Sequence, residues 1–365
     1  MNIQFLDKLM SAAFSLRKII SLKCEQKNDK VYLMRPQLHI MLIGHFGTGK
    51  SSISKMLELK YPKDVFLIDD FTKSSMFGSI SKSEEHVPSQ LVHAAGKMMI
   101  VDEWNSVSSW GQEGILGILE NQTINRALGF KVRRPFRIRK KYIKYSIVEN
   151  IIQGKVVFSC IAYCMVKPRI YDQRGRFDVV KTSALLSRFS PLYIHPEMSG
   201  LKMQDIREGD FDVNVEDHSG IVEHVVIEKE CYLAVSGMYE QYVRTNNLYP
   251  KDPSEWGYVN RIFSDVVRYG IHTALKETND VKTLTITSTK PFTHNFSYIS
   301  TLFNQFFLRD AKGRYEQYKD LVTVGGETDA EIVSKKLGIS IGQAYKYIRK
   351  HDEEKKGLRE TTLRL

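Results

Sequence analysis

The chain has 365 residues, 42% of them hydrophobic and 26% charged, a balance close to that of soluble globular proteins, which excludes wholly disordered and collagen-like classes. Its length predicts two or three domains. The net charge of +11 predicts an anionic partner and is silent about fold.

Residues 2–22 place Phe5, Leu9, Ala13, Leu16 and Ile20 three and four apart, with Lys8, Arg17 and Lys18 between them, which predicts an amphipathic helix. It either docks on the core or lies on a membrane surface, and an apolar face of no more than core size favours the core. Cys24, Cys160, Cys164 and Cys231 form no close CxxC pairs, so no structural zinc is expected. They show no disulfide-framework spacing either, which fits a reducing compartment. With no apolar run approaching about 20 residues and no signal core, the chain reads as soluble and intracellular, cytoplasmic or nucleoid-associated.

Leu38 to Ile43 is a short apolar run ending in glycine, and Ser51 to Leu59 has helical spacing. Further buried strands are expected at Lys97–Val101, Val156–Ala162 and Leu192–His195, with helical patterns such as Trp110–Glu120 between some of them. The alternation predicts an α/β domain with a largely parallel sheet over residues 1–205. Helical patterns at Glu228–Arg244 and Glu255–Lys276 predict a separate helical domain over 206–280. A threonine-rich irregular segment, an aromatic stretch from Phe292 to Phe307 and a final helix pair fill 281–365.

Gly44-His45-Phe46-Gly47-Thr48-Gly49-Lys50-Ser51 satisfies GxxxxGK[ST] in full. Gly44, Gly47 and Gly49 let backbone N–H groups crowd phosphate oxygens together with Thr48, Ser51 and Ser52. Lys50 is expected on the β and γ phosphates, and Ser51 offers its hydroxyl to Mg²⁺. The pattern therefore predicts ATP and Mg²⁺ as ligands. Met98 to Val101 is an apolar strand that delivers Asp102 and Glu103 to the sheet's C-terminal edge, where open α/β sheets bind ligands. Asp102 is expected to hold Mg²⁺ through water, and Glu103 to position or deprotonate an attacking water.

Arg35 to Gly44, the Asp102-Glu103 pair, Leu119-Glu120-Asn121-Gln122-Thr123-Ile124 and Leu185-Leu186-Ser187-Arg188-Phe189 together resemble the AAA+ ATPase module of the minichromosome maintenance (MCM) replicative helicases over most of residues 30–275. The resemblance implies an AAA+ core, a helical lid and a C-terminal winged-helix or helix-turn-helix module. It also implies a homo-oligomeric ring, hexameric in that family, which couples ATP hydrolysis to movement on DNA. By the same resemblance Arg188 is an arginine finger reaching a neighbouring subunit's site, and Arg261, in preference to Arg268, is the second sensor. A guanidinium has an independent physical case there, since it stabilises charge on a transferred phosphoryl group. One departure stands out: Met165 falls where the family carries a first-sensor asparagine, and a thioether is a poor hydrogen-bond partner. The similar stretch begins near residue 30, which leaves no room for the family's N-terminal oligonucleotide-binding region.

Between Arg126 and Lys144 stand Arg126, Lys131, Arg133, Arg134, Arg137, Arg139, Lys140, Lys141 and Lys144 with no acid among them. Phe130, Val132, Phe136, Ile138, Tyr142 and Tyr145 interleave with these cations, which predicts a basic β-ribbon over 126–145. Its partner is either the DNA backbone, reached by phosphate neutralisation, or another subunit. Thr328 to Ile348 reads as a helix-turn-helix with Ala330, Val333, Leu337, Ile339, Ala344 and Ile348 inside. Ser340, Gln343, Tyr345, Lys346 and Arg349 either face DNA or belong to a partner-binding tail.

Three functions compete at this point. The first is a DNA translocase or helicase with ATP turnover at subunit interfaces. The second is an ATP-controlled DNA-binding initiator or loader with little hydrolysis and no unwinding, which Met165 favours. The third, a small-molecule kinase on a P-loop fold, is disfavoured by the basic ribbon and the terminal helix pair.

Overall fold

The structure is a computed structural model that describes residues 3–26, 30–44, 48–68, 72–80, 86–104, 107, 109–129, 131–165, 184–194, 214–249, 256–302, 329–337 and 341–362. The chain separates into two compact units, Met1–Phe306 and Phe307–Leu365.

The first unit opens with α1 (Ile3–Leu16), whose Leu6, Leu9, Met10, Phe14 and Leu16 are essentially inaccessible to solvent. This helix docks on the core. It ends at Leu16, six residues short of the expected 22, and β1 (Ser21–Glu25) follows. The reason is tertiary pairing: β1 runs antiparallel to β2 (Val31–Met34) and parallel to a strand some 200 residues later, so the 3.6 periodicity could not reveal it.

Next come β3 (Ile40–Ile43), α2 (Lys50–Lys60), β4 (Val65–Ile68), α3 (Lys73–Phe77), the short pair β5 (Ser79–Ile80) and β6 (His86–Val87), β7 (Met98–Val101) and α4 (Ser109–Asn121). Four strands, β8 (Thr123–Ala127), β9 (Phe136–Lys140), β10 (Ile143–Val148) and β11 (Ile151–Val156), precede β12 (Ser159–Cys164) and β13 (Ser190–Tyr193). The central sheet has the order β13-β3-β12-β7-β4 with every pairing parallel. Strands β3, β7 and β12 are buried at every position, as a parallel sheet covered on both faces requires of its apolar runs. The strand expected at 156–162 is β12, shifted to 159–164, because Val156 closes the preceding antiparallel strand.

A mixed sheet, β15-β14-β1-β2, joins β14 (His224–Ile227) and β15 (Thr283–Ile286) to the chain's first strands. The threonine-rich segment expected to be irregular thus contains β15, which pairs parallel with β14. Between them lie α5 (Lys229–Thr245) and α6 (Trp256–Lys276), and α7 (Lys290–Thr293) follows. The second unit contains α8 (Ala330–Leu337) and α9 (Ile341–Thr362), held together by Ala330, Val333 and Ala344 with Tyr347 and Ile348 packed against them. Its described residues are helical and include no strand of a wing. Among the described residues no helix is long and apolar enough to cross a membrane, and no group of three or more metal-binding side chains stands together.

Candidate nucleotide site and basic sheet

The glycine motif leaves the C-terminal end of β3 and enters α2, so its phosphate-binding half sits at a helix N-terminus. Gly49 is the N-cap at φ 81°, and no side chain caps the helix. The amides of the first turn, which carries Lys50, Ser51 and Ser52, therefore have no intrahelical acceptor and point toward where an anion would lie. A Cβ on Gly44 would stand 2.7 Å from the Ile194 carbonyl oxygen and 2.9 Å from Thr48 Oγ1, so only glycine lets the backbone pass there. Lys50 Nζ donates to the Gly44 carbonyl and to Thr48 Oγ1. Burial holds the Lys50 ammonium below its ordinary pKa, with Asp102 opposing that shift. His45, Phe46 and Gly47 lie outside the described residues.

Strand β12 lies between β3 and β7 in the sheet, so Asp102 and Glu103 emerge two strands from the glycine motif at the same edge. Glu103 has a left-handed backbone, φ 53°, and its amide donates to Asp102 Oδ1 at 2.9 Å. Such a conformation costs a non-glycine residue about 1–3 kcal/mol and clusters at functional sites. Glu103 is exposed and Asp102 half-buried. Met165 follows Cys164, whose carbonyl accepts the Gly44 amide at 3.0 Å, so this residue stands beside the start of the glycine motif.

Upstream, His39 is buried at the foot of β3. Its Nδ1 accepts the Cys160 amide at 3.0 Å, which leaves Nε2 to carry the proton toward the Leu119 carbonyl, also at 3.0 Å. That ring clamps β3 to β12 and to the end of α4.

The two expected arginines stand at the opposite edge of the sheet. Ser190 is in register with Ile40 and Tyr193 with Ile43, so the segment at Arg188 lies about 10 Å or more back along the strands from the chain's own glycine motif. Arg188 Nε donates to the Leu116 carbonyl at 3.1 Å and lies 3.4 Å from Glu120 Oε2. Arg261 is buried, and its Nη2 lies 3.0 Å from Asp265 Oδ1. Asp265 also receives Arg268 at 2.9 Å and the Ser190 hydroxyl at 2.5 Å. Neither guanidinium is brought to the chain's own glycine motif.

The basic segment is not a lone ribbon. Strands β8 to β11 form an antiparallel sheet of order β8-β11-β10-β9. The β9–β10 turn sits at the base of this sheet. Lys141 Nζ lies 2.9 Å from Glu223 Oε1, the Tyr142 carbonyl accepts the Val157 amide at 2.9 Å, and the Tyr142 ring covers Gly96. The outer end consists of the β8–β9 loop, with Lys131, Arg133 and Arg134, and the β10–β11 turn, joined where Val132 N donates to the Glu149 carbonyl. Arg137, Arg139 and Lys144 are exposed on one face, and alternation puts the exposed Lys140 on the other. Arg126 is half-buried, over the Phe77 ring. The register adds Lys155, opposite Lys144, which sequence reading missed because it lies beyond the charged run. In the second unit Lys346 is exposed on α9, the helix that also carries Gln343.

Residues 10–129 match the family model of the MCM P-loop domain. The match spans the glycine motif, the acid pair, α4 and β8, and the resemblance read from those residues holds over that span. Arg188, Arg261 and the strands from β9 onward lie outside it. No curated protein matches the chain at a significant level.

Proposed function

We propose that this chain, whose residues 10–129 carry an MCM P-loop domain, is an ATPase that binds DNA and couples hydrolysis to translocation or unwinding as a homo-oligomeric ring. One observation carries the reading: a glycine cradle at the head of α2 faces two carboxylates at the same sheet edge, two strands away. The residues fit a magnesium nucleotide. The α2 amides and Lys50 bind phosphate oxygens, and Ser51 and Asp102 supply hard oxygen ligands for the cation. A bound Mg²⁺ supplies neutralisation of phosphate charge. Glu103 orients the attacking water and accepts its proton. Arg188, held at the far sheet edge, acts on a neighbouring subunit's nucleotide, so turnover requires assembly, and Arg261 serves as the second sensor. The helical segment 206–280 serves as lid and the helix pair as a second DNA contact through Gln343 and Lys346.

The test is equilibrium binding of Mg·ATP to the wild type and Lys50→Ala, followed by DNA-stimulated hydrolysis. Wild-type affinity that Lys50→Ala abolishes supports the reading, and an affinity untouched by Lys50→Ala overturns it.

Met165 favours a second reading, an initiator or loader that uses ATP for assembly and hydrolyses it slowly. The residue stands beside the glycine motif, where a thioether orients a lytic water poorly. Nucleotide-dependent DNA binding without strand displacement selects that reading.

A further inference from the structure

A cavity of about 400 Å³ lies between α1 and the C-terminal end of α6, and every described residue that lines it is polar or charged. That volume falls in the range of small-molecule sites, about 300–1,000 Å³, but an apolar ligand finds no matching wall. The lining includes two lysines, Lys8 on α1 and Lys276 in the last turn of α6, and two acids, Asp7 and Glu216. Both acids are engaged. Glu216 pairs with Lys276, and Asp7 Oδ1 accepts the Asn214 amide at 3.2 Å. Lys8 forms no ion pair among the described residues, and its Nζ stands 4.1 Å from the centre of the Tyr298 ring. Burial holds this ammonium below its ordinary pKa, and the like charge of Lys276 adds to the shift.

His272 adds a polar atom that the fold leaves unmatched. The residue lines the cavity and is only 1% exposed. Ser15 Oγ donates its one proton to the Glu216 carbonyl at 3.2 Å and accepts the His218 amide at 3.0 Å. His272 Nδ1, 3.1 Å from the same oxygen, is therefore the donor in their contact. Nε2 is then the unprotonated nitrogen, an acceptor, and it has no hydrogen-bond partner among the described residues. Burial, with Lys276, His218 and Lys8 nearby, pulls the ring down to about 3 against Glu216 alone, so it stays neutral in a field that favours anions. A buried acceptor left without a donor is costly.

An occupant must therefore bring negative charge to Lys8 and a hydrogen-bond donor to Nε2. Two ammonium groups on different elements suit the several oxygens of a phosphate, and an ammonium with three donors lets Lys276 serve Glu216 and an anion together. We propose that this cavity binds a small polyol phosphate, with Lys8 and Lys276 on the phosphate and His272 Nε2 accepting from a hydroxyl. The proposal goes beyond the ATPase reading and does not rest on it, since the cavity shares no residue with the glycine motif or the acid pair.

The test is isothermal titration of the full chain carrying Lys50→Ala, which removes phosphate binding at the glycine motif. The probes are ribose 5-phosphate, sulfate, which is an anion without a donor, and ribose, which has donors without charge. Ribose 5-phosphate should bind once per chain and more tightly than either of the others. Lys8→Gln in that background should weaken ribose 5-phosphate and sulfate alike by about 10- to 100-fold, the range of a hydrogen bond to a charged group, while Lys8→Arg retains most of the affinity. His272→Phe should bring ribose 5-phosphate down to the affinity of sulfate and leave sulfate unchanged. Where His272→Phe lowers the thermal midpoint, the two Lys8 variants decide alone. Absence of ribose 5-phosphate binding overturns the proposal, as does an affinity that Lys8→Gln leaves unchanged, or sulfate bound as tightly as ribose 5-phosphate. Mg·ATP affinity of Lys8→Gln with Lys50 intact should equal that of the wild type, so failure of this site leaves the ATPase reading standing.

Discussion

Trp104 and Phe189 meet edge-on in the core, their ring centres 5.4 Å apart at 73°. Each follows a residue assigned to phosphate chemistry, Glu103 in one case and Arg188 in the other. Glu103 is already held in a left-handed backbone, so its carboxylate depends on the packing of the next side chain. The same contact links the segment that carries Glu103 to the segment that carries Arg188.

Phe189→Leu should therefore affect turnover more than affinity. The substitution removes ring contact beneath Trp104 at a fully buried position, and it should destabilise the unit by about 1–3 kcal/mol. Steady-state hydrolysis and Mg·ATP binding measured well below the unfolding temperature separate the effects. Equal losses in both would mean that Trp104 does not position Glu103.

Glu103→Gln should keep nucleotide affinity and lower hydrolysis by about 10²–10⁴, the usual loss when a general base is removed. Arg188→Ala should lower it by a comparable or larger factor. If Arg188 serves a neighbour, mixing the two variants regenerates some sites that hold both groups, and activity rises above that of either preparation alone. A mixture no more active than the mean of its components would place both groups in one subunit's site.

Much of this site was legible because its signals are local. The glycine motif constrains four positions within eight residues, and β3, β7 and β12 announce themselves as apolar runs because both faces of their sheet are covered. Strands β1, β14 and β15 were not legible. Each is short, and each owes its existence to partners far away in sequence, as when Leu22 pairs with Val225. The basic segment shows the same division. Alternation of cations with apolar residues predicted strands, but which turn projects is set by β8 pairing with β11, and that pairing puts Lys141 at the base. Lys155 became visible only as the residue opposite Lys144.

Asp265 is wholly buried between Arg261 and Arg268 and accepts the Ser190 hydroxyl. Removing one partner of a buried ion pair leaves the other charge uncompensated. Asp265→Ala should thus destabilise the first unit by about 3–5 kcal/mol. The check is a urea titration, in which the midpoint should fall with little change in slope. An unchanged midpoint would show that Arg261 and Arg268 find other acceptors.

Acid should unfold the protein earlier than its carboxylates alone require. Burial pulls the His272 imidazole down to about 3, helped by the nearby Lys276 and His218, and its Nδ1 faces the Ser15 hydroxyl at 3.1 Å. Burial likewise holds His39 well below the ordinary histidine range, with the Arg35 guanidinium adding to it, and its Nδ1 is already committed as an acceptor. Both rings are neutral in the fold, whereas in the unfolded chain they take up protons near pH 6.5. The unfolded state then binds more protons, so stability is complete above pH 6.5 and is lost as pH falls toward the folded values. Each histidine should remove up to about 1.4 kcal/mol per pH unit in that window. Urea unfolding at pH 7, 6, 5 and 4 measures the sum. His272→Gln, which retains a hydrogen-bonding group for Ser15 but cannot take up the proton, should flatten the dependence by about one histidine's share. A wild-type stability that stays level between pH 7 and 5 would mean that these rings are charged or wetted in the native state, and that the clamp between β3 and β12 is not the neutral imidazole described for His39.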